Sequence, residues 1–284
     1  MLSSYEYILC IELGLLWSVI SMGVWLMFRV CGQSDLTCDG SVVVGAAVYA
    51  ALTHLGWHWS IATLSGGVAG MLAGLMTGIM ANQLRIHNIL SGILTTFMLY
   101  SMNLRIMGGV PNLALFGYHS MFDDSPFLVA LIVTIGAGGI LCRLFQSRFG
   151  LAIRAAGHNP ELIESLGLSR YRVILFCLML SNFYIGFGGA LLCQHQSYAD
   201  CGSGAGTLIT ALASIMIGER VIKTRSITGS LIAIVIGSIG YRLCVAFALH
   251  ADWVGLKTQD LNLITGLIVV AIMAHPSRKN LCFK

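Results

Sequence analysis

Residues that could do chemistry are sparse in this sequence, and none forms a complete catalytic motif. An intramembrane serine protease of the Gly-x-Ser-Gly type needs a glycine two residues before its serine. Ile89 stands at that place before Ser91-Gly92, and Cys201 stands there before Ser203-Gly204. The sequence also lacks a Gly-x-x-x-x-Gly-Lys loop for the phosphates of ATP. We therefore predict that the chain is not an enzyme and has no nucleotide site of its own.

Metal-binding and disulfide motifs are equally weak. His54 and His58 are four residues apart, but no third ligand stands near them, so interfacial histidines are favoured over a metal site. The nine cysteines include no Cys-x-x-Cys pair, and most are interpreted as small apolar helix residues. Cys193 and Cys201 could meet, either as a disulfide or as two free thiols. We predict no metal and no cofactor in this chain.

Six polar residues inside or beside apolar stretches are candidates for lining a path through the protein: Asp39, Asn88, Asn103, Asn182, Glu219 and Arg242. Asp35 and Asp39 precede a short apolar stretch that starts at Gly40. One of them could cap that helix while the other meets a substrate or a partner chain, and capping is favoured. The asparagines either line the path or form interhelical hydrogen bonds worth about 1 kcal/mol each.

Two charged candidates also have structural alternatives. Glu219 and Arg220 close an apolar stretch next to Lys223, where they either form a gate at the cytoplasmic mouth or anchor the helix at the interface. Anchoring is favoured. Arg242 follows a long apolar run, so it either serves the path or extends its guanidinium outward to the membrane surface.

The elements that must position these residues are membrane helices. Hydrophobic residues make up 57% of the 284 residues and charged residues only 10%, and the mean hydropathy is +0.84. A soluble domain needs far more charge than this. The net charge of +4 is small and does not indicate a nucleic-acid partner. Composition therefore predicts a polytopic bundle that contacts membrane lipid.

Windows of about 20 apolar residues predict an all-α transmembrane bundle with about nine segments. The predicted segments are Ile8–Phe28, Gly40–His54, Trp59–Gln83, Ile86–Met107, Pro126–Leu144, Val173–Cys193, Thr207–Ile222, Ile227–His250 and Leu261–His275. Gly40–His54 and Thr207–Ile222 are short and follow polar, glycine-bearing stretches, so they are either broken helices that line a cavity or tilted ordinary helices. Glycine patterns around Gly70 and Gly186 predict close helix packing.

The positive-inside rule predicts the orientation, because cytoplasmic loops carry an excess of Lys and Arg. The residues assigned to the cytoplasmic side are Arg29, Arg85, Arg143, Arg148, Arg154, Arg170, Arg172, Arg220, Lys223, Arg225, Arg278, Lys279 and Lys284. Nine crossings then place the N-terminus outside and the C-terminus in the cytoplasm. Residues 1–12 show no removable signal peptide. We treat residues 1–284 as a single transmembrane domain.

The longest polar stretch on the cytoplasmic side is residues 146–172. Asn159 can cap a short helix that begins at Pro160, with Glu161 near its positive end and Gly167 at its stop. So short a helix is marginal in water and must dock on something. It either docks on a partner protein or packs, as an ordinary connecting loop, against its own bundle.

The same segment, GLAIRAAGHNPE at residues 150–161 with Gly167 following, resembles the permease subunits of bacterial ATP-binding-cassette (ABC) importers. The resemblance is to the branched-chain amino acid, ribose and nucleoside type, near permeases encoded beside tryptophan- or tyrosine-type binding proteins. It continues at LSNF (180–183), GGAL (188–191), Ala199-Asp200 and ASIMIGE (213–219), and upstream at residues 35–40, 90–94 and 103–106. It therefore covers most of the chain.

The resemblance implies a permease in the bacterial plasma (inner) membrane that moves a small polar solute by alternating access. An amino acid is the first expectation, followed by a nucleoside or a sugar. Implied partners are an ABC ATPase that uses ATP, a second permease copy or paralogue, and an extracytoplasmic solute-binding protein. The implied ATPase-coupling residues are Arg154, Gly157, His158, Asn159, Pro160, Glu161 and Gly167. His158 departs from the acidic or polar residue expected there. The alternative is a secondary transporter or channel without an ATPase.

Overall fold

The computed structural model of the protein describes residues 4–158, 169–224 and 226–249, together with five residues between 263 and 270. The predicted segment Leu261–His275 therefore falls mostly outside the described part. The same holds for the predicted coupling residues Asn159, Pro160, Glu161 and Gly167, and for the side chain of His158.

Nine α-helices and two short strands make up the described structure. The helices are α1 (Ser4–Trp25), α2 (Cys38–His54), α3 (Trp59–Asn82), α4 (Asn88–Ile106), α5 (Pro126–Gln146), α6 (Arg148–His158), α7 (Arg170–Gln196), α8 (Thr207–Val221) and α9 (Ile227–Leu249). A π-helical turn, Leu26–Cys31, continues α1 and stops at Gly32, whose φ of +64° suits glycine. Helices α3, α5, α8 and α9 start at the predicted residues.

Six described helices are long and apolar enough to cross a membrane: α1 with its π-helical turn, α3, α4, α5, α7 and α9. The helices α2 and α8 have only 17 and 15 residues. A count of nine crossings is therefore not confirmed, although the positions of eight predicted segments agree with helices.

Glycines let the helices α2, α3 and α7 approach each other closely, as their pattern predicts. A Cβ atom added at Gly66 of α3 would lie 2.7 Å from the carbonyl oxygen of Gly45 of α2. A Cβ added at Gly186 of α7 would lie 2.8 Å from the carbonyl oxygen of Gly66. Small residues are favoured at such contacts because dispersion forces between closely packed backbones hold membrane helices together.

The all-α expectation needs one correction, a two-stranded antiparallel sheet. Strand β1 (Asn112–Ala114) pairs with β2 (Tyr198–Asp200), with Leu113 opposite Ala199. The strands lie at one end of the bundle, which we call the strand end. The opposite end, the basic end, carries a group of cations named here: Arg29, Arg85, Arg143, Arg148, Arg154, Arg170, Arg172, Arg220 and Lys223.

Candidate functional site

The helices α2 and α8 both begin inside the bundle after non-helical segments, residues 32–37 and 201–206. The two short predicted segments are therefore observed as short helices, each preceded by a polar non-helical segment. A free helix end inside a membrane protein must find partners for its unpaired backbone groups. Both helix starts meet this requirement with an aspartate.

Asp39 lies in the first turn of α2, but its carboxylate caps α8. Its Oδ1 accepts a hydrogen bond from the backbone N–H of Leu208 at 3.0 Å, and its Oδ2 accepts one from Gly206 at 3.3 Å. Gly204 allows this approach, because a Cβ atom there would collide with the carbonyl oxygen of Asp39. The favoured capping role is thus observed for a different helix from the one that the sequence indicated.

Asp35 organises the start of α2 from a fully enclosed position, with only 2% of its surface exposed. Its Oδ1 accepts hydrogen bonds from the backbone N–H of Thr37, at 2.8 Å, and from the Thr37 hydroxyl. Its Oδ2 accepts from Nδ2 of Asn182 on α7, at 3.1 Å. Asn182 Oδ1 in turn accepts from the hydroxyl of Ser41 on α2, at 2.6 Å. Asn182 therefore forms interhelical hydrogen bonds.

Threonine hydroxyls extend this network to two more helices. The Thr37 hydroxyl lies 2.7 Å from that of Thr77 on α3, which donates to the Thr95 hydroxyl on α4 at 3.0 Å. We call these buried side chains the Asp35 cluster: Asp35, Thr37, Ser41, Thr77, Thr95 and Asn182. The cluster joins α2, α3, α4 and α7, and its hydrogen bonds satisfy a buried carboxylate.

A cavity of about 460 Å³ lies between α4 and the start of α2. We call it the aromatic cavity, and its lining residues are Leu36, Asp39, Ile93, Thr96, Phe97 and Tyr100. Phe97 and Tyr100 expose 72% and 52% of their surface, whereas Asp39 is half-buried. The cavity thus combines one carboxylate with two aromatic rings.

The other predicted path residues are not gathered at this cavity. Asn88 donates to Gln33 near the basic end, and Glu219 also lies at that end. Asn103 is buried towards the strand end, and its Oδ1 has no hydrogen-bond partner among the described residues. The guanidinium of Arg242 on α9 lies 4.4 Å from the centre of a ring of Trp17 on α1.

The helix α6 is the described part of the predicted coupling segment. Ile153 and Ala156 are buried against the bundle, whereas Arg154 is exposed. Gly157 packs directly on the π-helical turn, because a Cβ atom there would collide with the carbonyl oxygen of Val30. Hence α6 has one face on the bundle and one free face.

The π-helical turn also contacts α8 through an ion pair. Arg29 in the turn pairs with Glu219 in the last turn of α8, and both side chains are about one-third exposed. The turn therefore connects α6 on one side with α8 on the other. Glu219 is held by Arg29, a partner that the sequence did not indicate, because 190 residues separate the two.

The histidine and cysteine candidates have protein partners. His54 Nε2 contacts the carbonyl oxygen of Ala114 at 3.1 Å, and His58 Nδ1 accepts from the N–H of Ser60 at 3.3 Å. Cys193 and Cys201 are free thiols, so the disulfide alternative for that pair is wrong. Burial and the neighbouring Asp200 carboxylate raise the pKa of the Cys201 thiol.

Two features of the structure, a disulfide and the aromatic cavity, were not predicted from the sequence. The structure pairs Cys31 with Cys177 in a disulfide, across 146 residues of sequence. The cavity residues Ile93, Phe97 and Tyr100 follow the helical spacing of one face of α4, and that spacing was a usable signal. No spacing signal was available for the disulfide.

Comparison with known proteins gives the family. The chain matches the family described as "Branched-chain amino acid transport system / permease component" over residues 8–273. It is 34% identical over 263 residues to a tyrosine transport system permease protein of Clostridioides difficile, which covers 92% of this chain and 88% of that protein. It is 30% identical over 284 residues to an uncharacterized protein of Rickettsia prowazekii, covering 96% of this chain and 99% of that one.

A shorter match is to a probable branched-chain amino acid transport permease protein of Methanocaldococcus jannaschii, with 31% identity over 134 residues, 47% of this chain and 41% of that protein. No solved structure matches the chain. The six long apolar helices agree with a transport protein of the membrane, and the matched family is one of transport permeases, not a catalytic family. The chain belongs to the permease component family of branched-chain amino acid transport systems, whose members are ABC-type membrane permeases.

Proposed function

We propose that this chain is the permease subunit of an ABC importer that carries an amino acid across the bacterial plasma membrane. Residues 1–284 form one transmembrane domain, which pairs with a second copy or a paralogue. A solute-binding protein delivers the amino acid at the strand end, and a separate ATPase docks at the basic end within residues 146–172. The tyrosine permease relative, which is similar over 92% of this chain, supports an amino acid ahead of a nucleoside or a sugar.

The observation that carries this proposal is the position of α6. The helix α6 buries Ile153 and is held by Gly157 on the π-helical turn, and at the basic end it presents a free face that includes Leu151 and Arg154. The positive-inside rule assigns that end to the cytoplasm, with the N-terminus of the chain outside and the C-terminus inside. A cytoplasmic ATPase can reach such a face.

The proposed mechanism is alternating access with ATP consumed only by the partner. Movement of α6 reaches the π-helical turn through Gly157 and Val30, and then reaches α8 through Arg29 and Glu219. The start of α8 is bound to Asp39 beside the aromatic cavity. A shift of α8 therefore changes the cavity, and in this way the ATPase can open it to either side in turn.

A charge reversal on the exposed face of α6 tests the docking. The Arg154→Glu variant, purified gently from the native membrane with a tag, should retain less than about one-fifth of the ATPase that accompanies the unaltered chain. The physical reason is that a reversed charge repels the surface that Arg154 normally faces, a penalty of about 1 kcal/mol or more. Quantitative mass spectrometry of the purified complex measures this ratio.

The matched control is Arg105→Glu, which reverses an exposed charge at the strand end. It should leave the ATPase ratio unchanged. If the unaltered chain is repeatedly recovered without an ATPase, under conditions that preserve other ABC complexes, the proposal fails and a secondary transporter or channel is favoured instead. If both reversals lower the ratio equally, docking at α6 is wrong.

A further inference from the structure

The aromatic cavity has no role in the sequence-derived expectations beyond Asp39. It lies between the segment that carries Leu36 and Asp39 and the exposed face of α4. Its polar groups are the Asp39 carboxylate and the hydroxyls of Thr96 and Tyr100, and the rest of its lining is apolar. A volume of about 460 Å³ is in the range of sites for small molecules.

Lipid tails are poor occupants of this cavity. A carboxylate that faces hydrocarbon costs several kcal/mol, so Asp39 is expected to face water, protein or a polar ligand. The helix α4 agrees with this, because it has the lowest mean hydropathy of the six spans. Its exposed face is therefore suited to a path or to a second copy of the chain.

Asp39 has free hydrogen-bonding capacity. Each carboxylate oxygen accepts one backbone N–H bond from the start of α8, whereas an ionised carboxylate offers about four acceptor positions. The Thr96 hydroxyl, in contrast, already donates to the carbonyl oxygen of Leu36 at 3.1 Å. The main unused polar capacity in the cavity is thus that of an acceptor with negative charge.

The chemistry of the lining selects among the proposed solutes. An ammonium group supplies both the positive charge and the donors that Asp39 can accept. The rings of Phe97 and Tyr100 suit a flat or bulky apolar group, and they also attract a cation. A sugar or a neutral nucleoside would leave the Asp39 carboxylate without a cationic partner.

We propose that the aromatic cavity is the binding site for the solute in transit, and that it accepts amino acids with a large apolar or aromatic side chain. Asp39 binds the α-ammonium group, and Phe97 and Tyr100 contact the side chain. This inference rests on the proposed function, since it names the substrate class of the same permease. It predicts that the permease itself discriminates among solutes, in addition to the selection made by the binding protein.

The test uses the complete importer, purified with its ATPase and binding protein and reconstituted in liposomes, with radiolabelled tyrosine as the probe. Phe97→Ala and Asp39→Asn should each lower the initial rate of ATP-dependent tyrosine uptake by about tenfold or more. Asp39→Asn removes the charge and keeps one oxygen, which can still accept the N–H of Leu208, while the longer bond from Gly206 is lost. The matched control is Phe127→Ala on α5, which removes an exposed ring away from the cavity and should change uptake less than twofold.

A labelling experiment locates the solute directly. In an Ile93→Cys variant, which places a thiol in the cavity lining and keeps Asp39, Phe97 and Tyr100, tyrosine with ATP should slow the reaction of the new thiol with a charged methanethiosulfonate reagent, and adenosine or ribose should not. The unaltered chain, treated in the same way, gives the background from its own cysteines. Protection by tyrosine would support the binding site without relying on transport rates. This test of the site therefore remains valid even if the Asp39→Asn variant folds poorly.

The outcomes separate this inference from the proposed function. If ATP-dependent tyrosine uptake is normal in both Phe97→Ala and Asp39→Asn, and tyrosine gives no protection, the cavity assignment is overturned while the importer stands. If the complete importer takes up adenosine or ribose and no amino acid, the substrate class is overturned. If uptake needs no ATPase at all, the proposed function itself is wrong.

Discussion

Two aspartates four residues apart, Asp35 and Asp39, have opposite surroundings. Asp35 is buried and accepts hydrogen bonds from Thr37 and Asn182, so its charge is used within the bundle. Asp39 is half-buried, is held by backbone N–H groups alone, and borders an open cavity. The difference indicates that one carboxylate fixes the helix positions and the other is available to a ligand.

The same contrast extends to the regions around them. The Asp35 cluster consists of short side chains whose partners come from four helices, an arrangement that tolerates little movement. The aromatic cavity is lined by exposed rings on one face of α4. A transporter needs both kinds of region, because a fixed frame is required for a neighbouring part to move in a defined way.

The largest loss of stability is expected when the Asp35 cluster, which forms the fixed frame, loses its carboxylate. Asp35→Ala leaves the N–H of Thr37 and one donor of Asn182 buried without a partner, which should destabilise the protein by about 3 kcal/mol. The measurement is thermal unfolding of the purified permease in detergent. The fraction of protein that stays monodisperse is recorded at each temperature. Asp39→Asn serves as the comparison and should lose only about 1 kcal/mol, because it gives up one backbone hydrogen bond, the 3.3 Å bond from Gly206.

The opposite result would contradict the assignment of a structural role to Asp35 and a ligand-binding role to Asp39. A stable Asp35→Ala variant with normal tyrosine uptake, together with a poorly folded Asp39→Asn variant, would mean that Asp39 holds the frame. Equal losses of stability in both variants would mean that the two carboxylates form one structural unit and that the cavity has no separate role.

A third acidic residue, Glu219, differs from both aspartates, because its partner is a cation, Arg29, at the proposed cytoplasmic end. We expect disruption of this ion pair to have a smaller effect than the loss of the Asp35 carboxylate. Reversal of Arg29 to Glu places two carboxylates together, and we expect transport per ATP hydrolysed to fall by about fivefold. Stability should fall by about 1–2 kcal/mol, because the variant loses a partly exposed ion pair and also brings two like charges together. ATP hydrolysis and tyrosine uptake are measured in the same liposomes.

Charge exchange provides the control for that experiment. The double variant Arg29→Glu with Glu219→Arg restores opposite charges and should recover most of the lost transport per ATP. Arg85→Glu, an exposed cation at the same end, should have little effect. If the double variant is as defective as Arg29→Glu, the two residues do not act as a pair in coupling.

The sequence was sufficient to predict the apolar helices and their approximate ends. Polar or helix-starting residues mark those ends, as His58 does before α3 and Pro126 does at the start of α5. Close packing could also be predicted, because glycines at helical spacing such as Gly66 and Gly70 have a direct physical meaning in membranes. These are local signals, and they need no knowledge of the partner helix.

The site depended on contacts that no local pattern encodes. Asp39 was predicted to cap α2 or to meet a substrate, yet it bonds Leu208, a residue 169 positions away. Arg29 and Glu219, and also Cys31 and Cys177, are similarly distant pairs. A hydrogen bond or ion pair between remote segments follows from the tertiary arrangement of helices, which the composition of each helix does not determine.

The smallest effects are expected from two threonine substitutions, one at Thr77 in the Asp35 cluster and one at Thr96 in the aromatic cavity. Thr77→Val removes a hydroxyl that contacts Thr37 and donates to Thr95, so the frame should lose about 0.6–1.7 kcal/mol. At about 2–4 °C per kcal/mol, that corresponds to a decrease of about 1–7 °C in the unfolding temperature. Thr96→Val removes one hydrogen bond, to the carbonyl oxygen of Leu36 at the half-buried edge of the cavity. Because water can reach that carbonyl, the unfolding temperature of Thr96→Val should stay within about 1 °C of the unaltered chain. A larger decrease for Thr96→Val than for Thr77→Val would show that the cavity edge is as much a part of the frame as the Asp35 cluster.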